Sequence, residues 1–223
     1  MRSSIVRFSC AAAIAASLAL LAPHPAAMAA PKDDKAVALE LQGLDLYEHA
    51  DYDSAVAKFR EAFALTPNDK TLRKNFAEAL NAVGTAAYGK KNYAAAIDNF
   101  QEALKLAPSF GLAKANLVVA QVSKLNDEGM AMFKAADFDG AVGKFKQVLV
   151  VDPGNKIALV NRDTAEARIL TKSGDLAGAV AKLQEAVSAA PTNTFLQGQL
   201  SEAQAALAAA TPPPKDDKSK PAQ

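Results

Sequence analysis

Four times along this 223-residue chain the same residue types return at the same internal spacing. The first copy runs from Gly43 through Tyr52, Ala55, Phe59 and Ala62 to Pro67, and the second from Gly84 through Tyr93, Ala96, Phe100 and Ala103 to Pro108. The third reads Gly129, Phe138, Ala141, Phe145, Val148, Pro153, and the fourth Ala167, Leu176, Ala179, Leu183, Ala186, Pro191. A pattern recurring at roughly forty residues belongs to a stack of like units, each burying its apolar face against its neighbours. It points to a fold whose broad role is to present a surface that holds other molecules.

Each unit reads as two helices joined by a short turn. In the first, Leu39, Leu46 and Tyr47 share one helix, and Ala55, Val56, Phe59, Ala62 and Phe63 share the next. Their steps of three, four and seven are those of an amphipathic helix. Asp51, Asn92, Asp137 and Asp175 stand just before the second helices, where a side-chain oxygen can accept a hydrogen bond from a first-turn N–H. The prolines close the second helices and are tolerated in the first turn of the next helix. Gly43 and Ala55, like the later Gly/Ala pairs, are placed where the paired helices cross, so the backbones can approach closely. Tyr52/Phe59, Tyr93/Phe100 and Phe138/Phe145 fill the space beside that crossing.

This arrangement resembles the tetratricopeptide-repeat family, whose unit is 34 residues long. The stretch ADYDSAVAKFREAFALTPND, residues 50–69, is especially close, and one register fits four times between residue 36 and about residue 193. The fourth copy is the most diverged. Gln42, Glu128 and Glu166 are polar at a first-helix position that the family usually keeps apolar. The resemblance implies an all-α, right-handed α-solenoid of four helix-pair repeats with a C-terminal capping helix. Repeats are expected over 36–69, 70–110, 111–155 and 156–193, and the cap over 194–210.

The period departs from the family in an informative way. Successive prolines stand 41, 45 and 38 residues apart, exceeding the family unit by 7, 11 and 4. Within each repeat the step from the first small residue to the second is 12, and from there to Pro is 12 again. All the extra length therefore falls ahead of the first small residue. Seven, eleven and four are close to two, three and one turns of a helix. An insertion in a continuous helix must respect that rule, or the apolar face rotates away. Leu72, Phe76, Leu80 and Val83 continue one stripe into Gly84, and Leu112, Leu117, Val118, Val119, Val122 and Leu125 make the third insertion, which begins near residue 109, apolar over much of its circumference. First helices of roughly 20, 26 and 19 residues are predicted in repeats two to four.

The ends lie outside this pattern. Arg2 and Arg7 precede an apolar run from Cys10 to Ala22 and a small-residue exit at Ala27-Met28-Ala29, which reads as a signal peptide over 1–29 cleaved after Ala29. An uncleaved anchor is the alternative, against which the run is short for a membrane span. A polar linker is expected over 30–35, and a disordered Pro/Lys tail over 211–223. The Ala-rich leader has a bacterial character and points to the periplasm or the extracellular space. Its removal takes the single Cys and leaves 23 basic against 24 acidic residues, counted from 25 and 24. A near-neutral chain without basic blocks argues against nucleic acid, and no membrane span is expected after cleavage.

The same composition leaves little for catalysis: no catalytic residue, cofactor site or metal site is assigned. His49, the single His of the mature chain, lies near Asp51 and Asp53 without a second His to complete a metal site. Asp137-Phe138-Asp139-Gly140 lacks the further ligands of a calcium loop and is explained by helix capping.

In the tetratricopeptide family the first helices line a concave groove. By resemblance Leu44, Tyr47, Asn81, Thr85, Tyr88, Asn126, Met130, Phe133 and Arg168 would line one here and bind a partner protein or peptide. The competing reading places the aromatics Tyr47, Tyr88 and Phe133 in the packing between adjacent repeats. Family modules that clamp a C-terminal carboxylate use Lys, Asn and Arg; Glu40, Leu44, Ala82, Ser123 and Asp127 stand at the matching places, so that clamp is absent. The expectation is a non-enzymatic exported scaffold, in envelope assembly or secretion. Its rivals are a homo-oligomer formed through the long third-repeat helix and a carrier of apolar ligands.

Overall fold

A computed structural model describes residues 31–211; the signal peptide expected over 1–29 and the disordered tail expected over 211–223 lie, but for Thr211, outside the described residues. Among the described residues the secondary structure is all helical. The elements are α1 (Pro31–Glu48), α2 (Tyr52–Leu65), α3 (Lys70–Gly89), α4 (Tyr93–Leu106), α5 (Gly111–Lys134), α6 (Phe138–Val151), α7 (Lys156–Ser173), α8 (Leu176–Ala189) and α9 (Thr194–Ala210). Residues 31–35, expected as a linker, are instead the start of α1. Pro31 has the φ a first helical residue needs, and Asp33 and Asp34 favour the positive end of the helix.

The second helices α2, α4, α6 and α8 are each 14 residues long. Their caps are those the sequence predicts: Asp51, Asn92, Asp137 and Asp175 accept from Ser54, Ala95, Gly140 and Gly178 at 3.3, 3.2, 3.0 and 2.8 Å. Length varies only in the first helices. Helices α3, α5 and α7 are continuous over 20, 24 and 18 residues, so the inserted segments are helical turns and not loops. The prolines differ from expectation. Each sits in the turn after a second helix, three residues ahead of the first residue of the next one, because Asp69, Asn155 and Asn193 cap α3, α7 and α9 further on.

One turn conformation joins the helices of every pair. Ala50, Lys91, Ala136 and Gly174 take φ of 61°, 59°, 61° and 86°. The next residue's N–H then reaches back to Leu46, Ala87, Met132 and Leu170 carbonyls, each at 2.9 Å. This is the six-residue closure of a helix through a left-handed residue. Three of the four positions carry a side chain where glycine would be unstrained.

The chain divides into two compact units, one ending at Ala120 and the other beginning at Gln121. In the first, Leu39, Val56, Phe59, Leu72, Phe76 and Leu80 form the core, with Phe76 centred 6.4 Å from Phe59 and 6.0 Å from Phe63. Arg60 lies over the Phe76 ring and donates to Glu102 at 2.8 Å, tying α2 to α4. A smaller cluster joins Ala96 and Phe100 to Ala120. In the second unit Ala141, Val142, Phe145 and Ala165 make the corresponding core. There the polar residues Glu128 and Glu166, unexpected in a first helix, are ion-paired. Glu128 meets Lys144 at 2.6 Å, and Glu166 meets Lys146 at 3.4 Å and Lys182 at 3.2 Å.

The small first-helix residue faces a ring more closely than it faces the small residue of the second helix. A Cβ placed on Gly43, Gly84 or Gly129 would lie 2.8, 2.6 or 2.7 Å from Phe59, Phe100 or Phe145 respectively. In the fourth repeat the glycine is replaced by Ala167 and the ring by Leu183, both buried. The two changes fit together: the methyl group has room because the ring edge is gone.

Candidate partner-binding surface

The expected surface residues all lie on first helices. In the first unit Leu44 and Tyr47, three residues apart on α1, are half-buried against the core. Asn81 is buried; its backbone carbonyl accepts from Thr85 Oγ1 at 2.8 Å, and its side-chain oxygen accepts from Asn116 at 2.9 Å. Thr85 and Tyr88 meet Phe100, Asn116 and Val119 around a crevice of about 10 Å³, room for about one water molecule. In the second unit Met130 and Phe133 pack on the Phe145 cluster, and Arg168 is exposed on α7.

Each of the three aromatics meets a ring of its own repeat, and Tyr88 also borders Asn116 and Val119 of α5. Tyr47 meets Tyr52 at 5.2 Å between centroids, Tyr88 meets Tyr93 at 5.6 Å, and Phe133 meets Phe138 at 5.2 Å. Each ring is thus laid on the first residue of the second helix and tilted by 57–63° to its partner. Tilted contacts of this kind set an aromatic's position firmly while leaving part of its face uncovered. All six rings remain partly exposed.

A polar pairing that sequence reasoning overlooked accompanies them. Glu40 accepts from Asn75 at 2.8 Å and Asn81 from Asn116 at 2.9 Å, both across 35 residues. Counting 35 on from Asn126 and Thr164 reaches Asn161 and Gln199, so a polar residue stands eight places after every repeat proline. That constancy was visible in the chain. Glu40, at a place where a carboxylate clamp would want a donor, is used as an acceptor within the fold.

Other chemistry is sparse. Among the described residues no group of three or more His, Cys, Asp or Glu side chains could hold a metal ion. His49 Nδ1 lies 2.7 Å from the Asp45 carbonyl, and this contact, with the Asp45 charge, raises its pKa from the ordinary 6.5. The carboxylates of Asp51 and Asp137 are occupied as helix caps. A shallow hollow of about 290 Å³ in the second unit, walled by Phe138, Ile169, Lys172 and Asp139, lies beside the Asp137 cap. Among the described residues no helix is long and apolar enough to cross a membrane.

Two family models match these paired helices: Tetratricopeptide repeat, over residues 77–110, and a second Tetratricopeptide repeat model over residues 126–194. This chain is a tetratricopeptide-repeat protein. Among solved structures it is similar to a tetratricopeptide-repeat protein of Bacteroides fragilis, with 17% identity over 77% of this chain and 98% of that one, TM-score 0.46. It is similar also to the C-terminal tetratricopeptide domain of a Plasmodium falciparum putative FK506-binding protein, with 20% identity over 64% and 95%, TM-score 0.37. A third is the yeast Sti1 TPR2AB domain in its pHSP90 complex, with 16% identity over 78% and 84%, TM-score 0.32. No curated protein matches the chain significantly.

Proposed function

We propose that this tetratricopeptide-repeat protein is a non-enzymatic, exported scaffold. It holds a partner protein or peptide on its first helices, in the periplasm or outside the cell, in envelope assembly or secretion. One observation carries the reading: a tilted aromatic pair, firmly seated yet partly exposed, recurs at the same place in three successive repeats. Rigid aromatics that keep an uncovered face are the side chains from which binding hot spots are built, since little conformational freedom is lost on association. Leu44, Thr85, Met130 and Arg168 stand beside them as the varied positions that would select the partner.

The test is a crosslinking pull-down from the native envelope. It compares the wild type with a Tyr47→Ala/Tyr88→Ala/Phe133→Ala variant first shown by circular dichroism to be folded. Loss of one specific protein from the variant supports the scaffold reading. Capture unchanged by the three substitutions refutes it. A second reading, self-association through α5, is favoured by the exposure of Leu112 and Val118 on that helix. Light scattering on the eluting protein separates it: a dimer that Leu112→Asp/Val118→Asp converts to monomer establishes it, and a wild-type monomer removes it.

A further inference from the structure

The fourth repeat buries a charge where the first two repeats bury leucine and the third half-buries one. In register with Leu39, Leu80 and Leu125 stands Asp163 on α7, and it is 3% exposed. A carboxylate in that place is tolerated only with a partner. Asp163 Oδ1 accepts from Arg162 Nε at 2.8 Å and from Arg162 Nη2 at 2.6 Å. Its own neighbour in the chain therefore supplies the compensation. The surrounding charges are otherwise mutually engaged. On α8, Lys182 pairs with Glu166 at 3.2 Å and with Glu185 at 3.0 Å, while Lys146 of α6 pairs with Glu166 and Lys144 of α6 with Glu128.

Two further weaknesses lie in the same unit. Asn126 Oδ1 on α5 and Gln199 Oε1 on α9 are buried side-chain acceptors without a hydrogen-bond partner. They belong to the two 35-residue pairings of the second unit. The first unit's two pairings are closed at 2.8 and 2.9 Å. Buried acceptors left open, together with a buried carboxylate, are what lowers the free energy of local opening. All three groups sit on α5, α7 and α9.

We propose that Asp163 makes helices α7–α9 an acid-tightened segment. With the carboxylate charged, these helices open locally more often than the helices of the first unit. Once it is protonated, the core position behaves as a neutral side chain, and the segment closes. Burial, the largest influence, lifts the Asp163 pKa above its ordinary 3.8; the Arg162 hydrogen bond and charge, and the Lys182 charge, pull against that, and Glu185 adds to it. The sign follows from linkage. A carboxyl whose folded pKa is raised contributes most to stability below its unfolded value, and loses that contribution as pH rises through the folded pKa.

Hydrogen exchange of the full chain between pH 7 and pH 4, corrected for the intrinsic rate, tests this with the wild type, Asp163→Leu and Asp163→Asn. At pH 7 the wild type should open α7–α9 more often than Asp163→Leu. The ratio should shrink as pH falls, by about tenfold for each unit by which the fold raises the carboxyl's pKa. Asp163→Asn should hold a constant ratio to Asp163→Leu; should the Leu variant misfold, the wild type is compared with Asp163→Asn alone. A ratio to the neutral variant that stays flat or grows as pH falls overturns the proposal. So does an equal response in α1–α4.

Discussion

The contact between Gly84 and Phe100 can be worked into a quantitative test. A Cβ on Gly84 would stand 2.6 Å from Cε1 and 2.8 Å from Cδ1 of Phe100, where ordinary contact begins at 3.4 Å. The ring would have to retreat by about 0.8 Å to reach ordinary van der Waals separation. It is buried, and the crevice beside it holds only about 10 Å³, so there is nowhere near at hand to go. Overpacking of this kind costs about 1–3 kcal/mol. Alanine in a helix interior returns about 1 kcal/mol relative to glycine, so Gly84→Ala should destabilise by up to about 2 kcal/mol. Phe100→Leu alone loses packing and should cost about 1–2 kcal/mol, less than truncation to Ala. Combined, they recreate the Ala167/Leu183 pair of the fourth repeat. The clash disappears while the helix gain remains, so the double variant should lie within about 1 kcal/mol of wild type, a coupling of about 1–3 kcal/mol equal to the relieved overpacking. Urea unfolding followed by far-UV circular dichroism suits a chain with no Trp. Gly143→Ala is the control: it lies within α6 with nothing inside 4 Å of the added methyl, and should stabilise by about 1 kcal/mol. Additive single and double effects, with coupling below about 0.5 kcal/mol, would show that the glycine–ring contact does not set the helix crossing.

Lys91→Gly relieves a left-handed φ of 59° and should raise stability by about 1 kcal/mol in the same assay; a loss would mean the side chain does more than tolerate the turn. Asp175→Ala removes the shortest of the four second-helix caps and should cost about 1 kcal/mol, read most sharply in the exchange of α8 amides. Phe100→Ala should cost about 3–5 kcal/mol, and an unchanged melting curve would contradict its place in the core. The raised His49 pKa, caused first by the Asp45 carbonyl and then by the Asp45 charge, gives a contribution present below 6.5 and lost as pH rises through the folded pKa. His49→Gln should therefore flatten a small slope of stability above that pH, and an identical slope in the variant would remove His49 as its source.

Much of the fold was readable because its determinants are local and repeat. The cap residues Asp51, Asn92, Asp137 and Asp175 act over three residues, and the whole-turn insertions follow from helix geometry alone. What escaped was chemistry that depends on a neighbour. The sequence pairs the glycines with Ala55 and its counterparts, whereas the structure sets them against rings. Glu128 and Glu166 looked out of place because their lysines come from other helices. Tyr47, Tyr88 and Phe133 could be assigned to first helices but not to their partners, since a ring at that height reaches either the next repeat or its own second helix. Asp163 fell on an apolar stripe and was passed over, although Leu39, Leu80 and Leu125 in the same register marked it as the exception.

The uniform 14-residue second helices have a consequence for how such a chain changes over time and in the laboratory. Because α2, α4 and α6 share length, capping geometry, turn and a Phe opposite glycine, they are interchangeable parts, and α4 could be transplanted for α6 with its Phe kept opposite the glycine. Differences of length are confined to the first helices, which run 18, 20, 24 and 18 residues. A designer wishing to respace this protein should add or remove about four or seven residues, one or two helical turns, ahead of Gly84 or Gly129, and leave every connector as it stands.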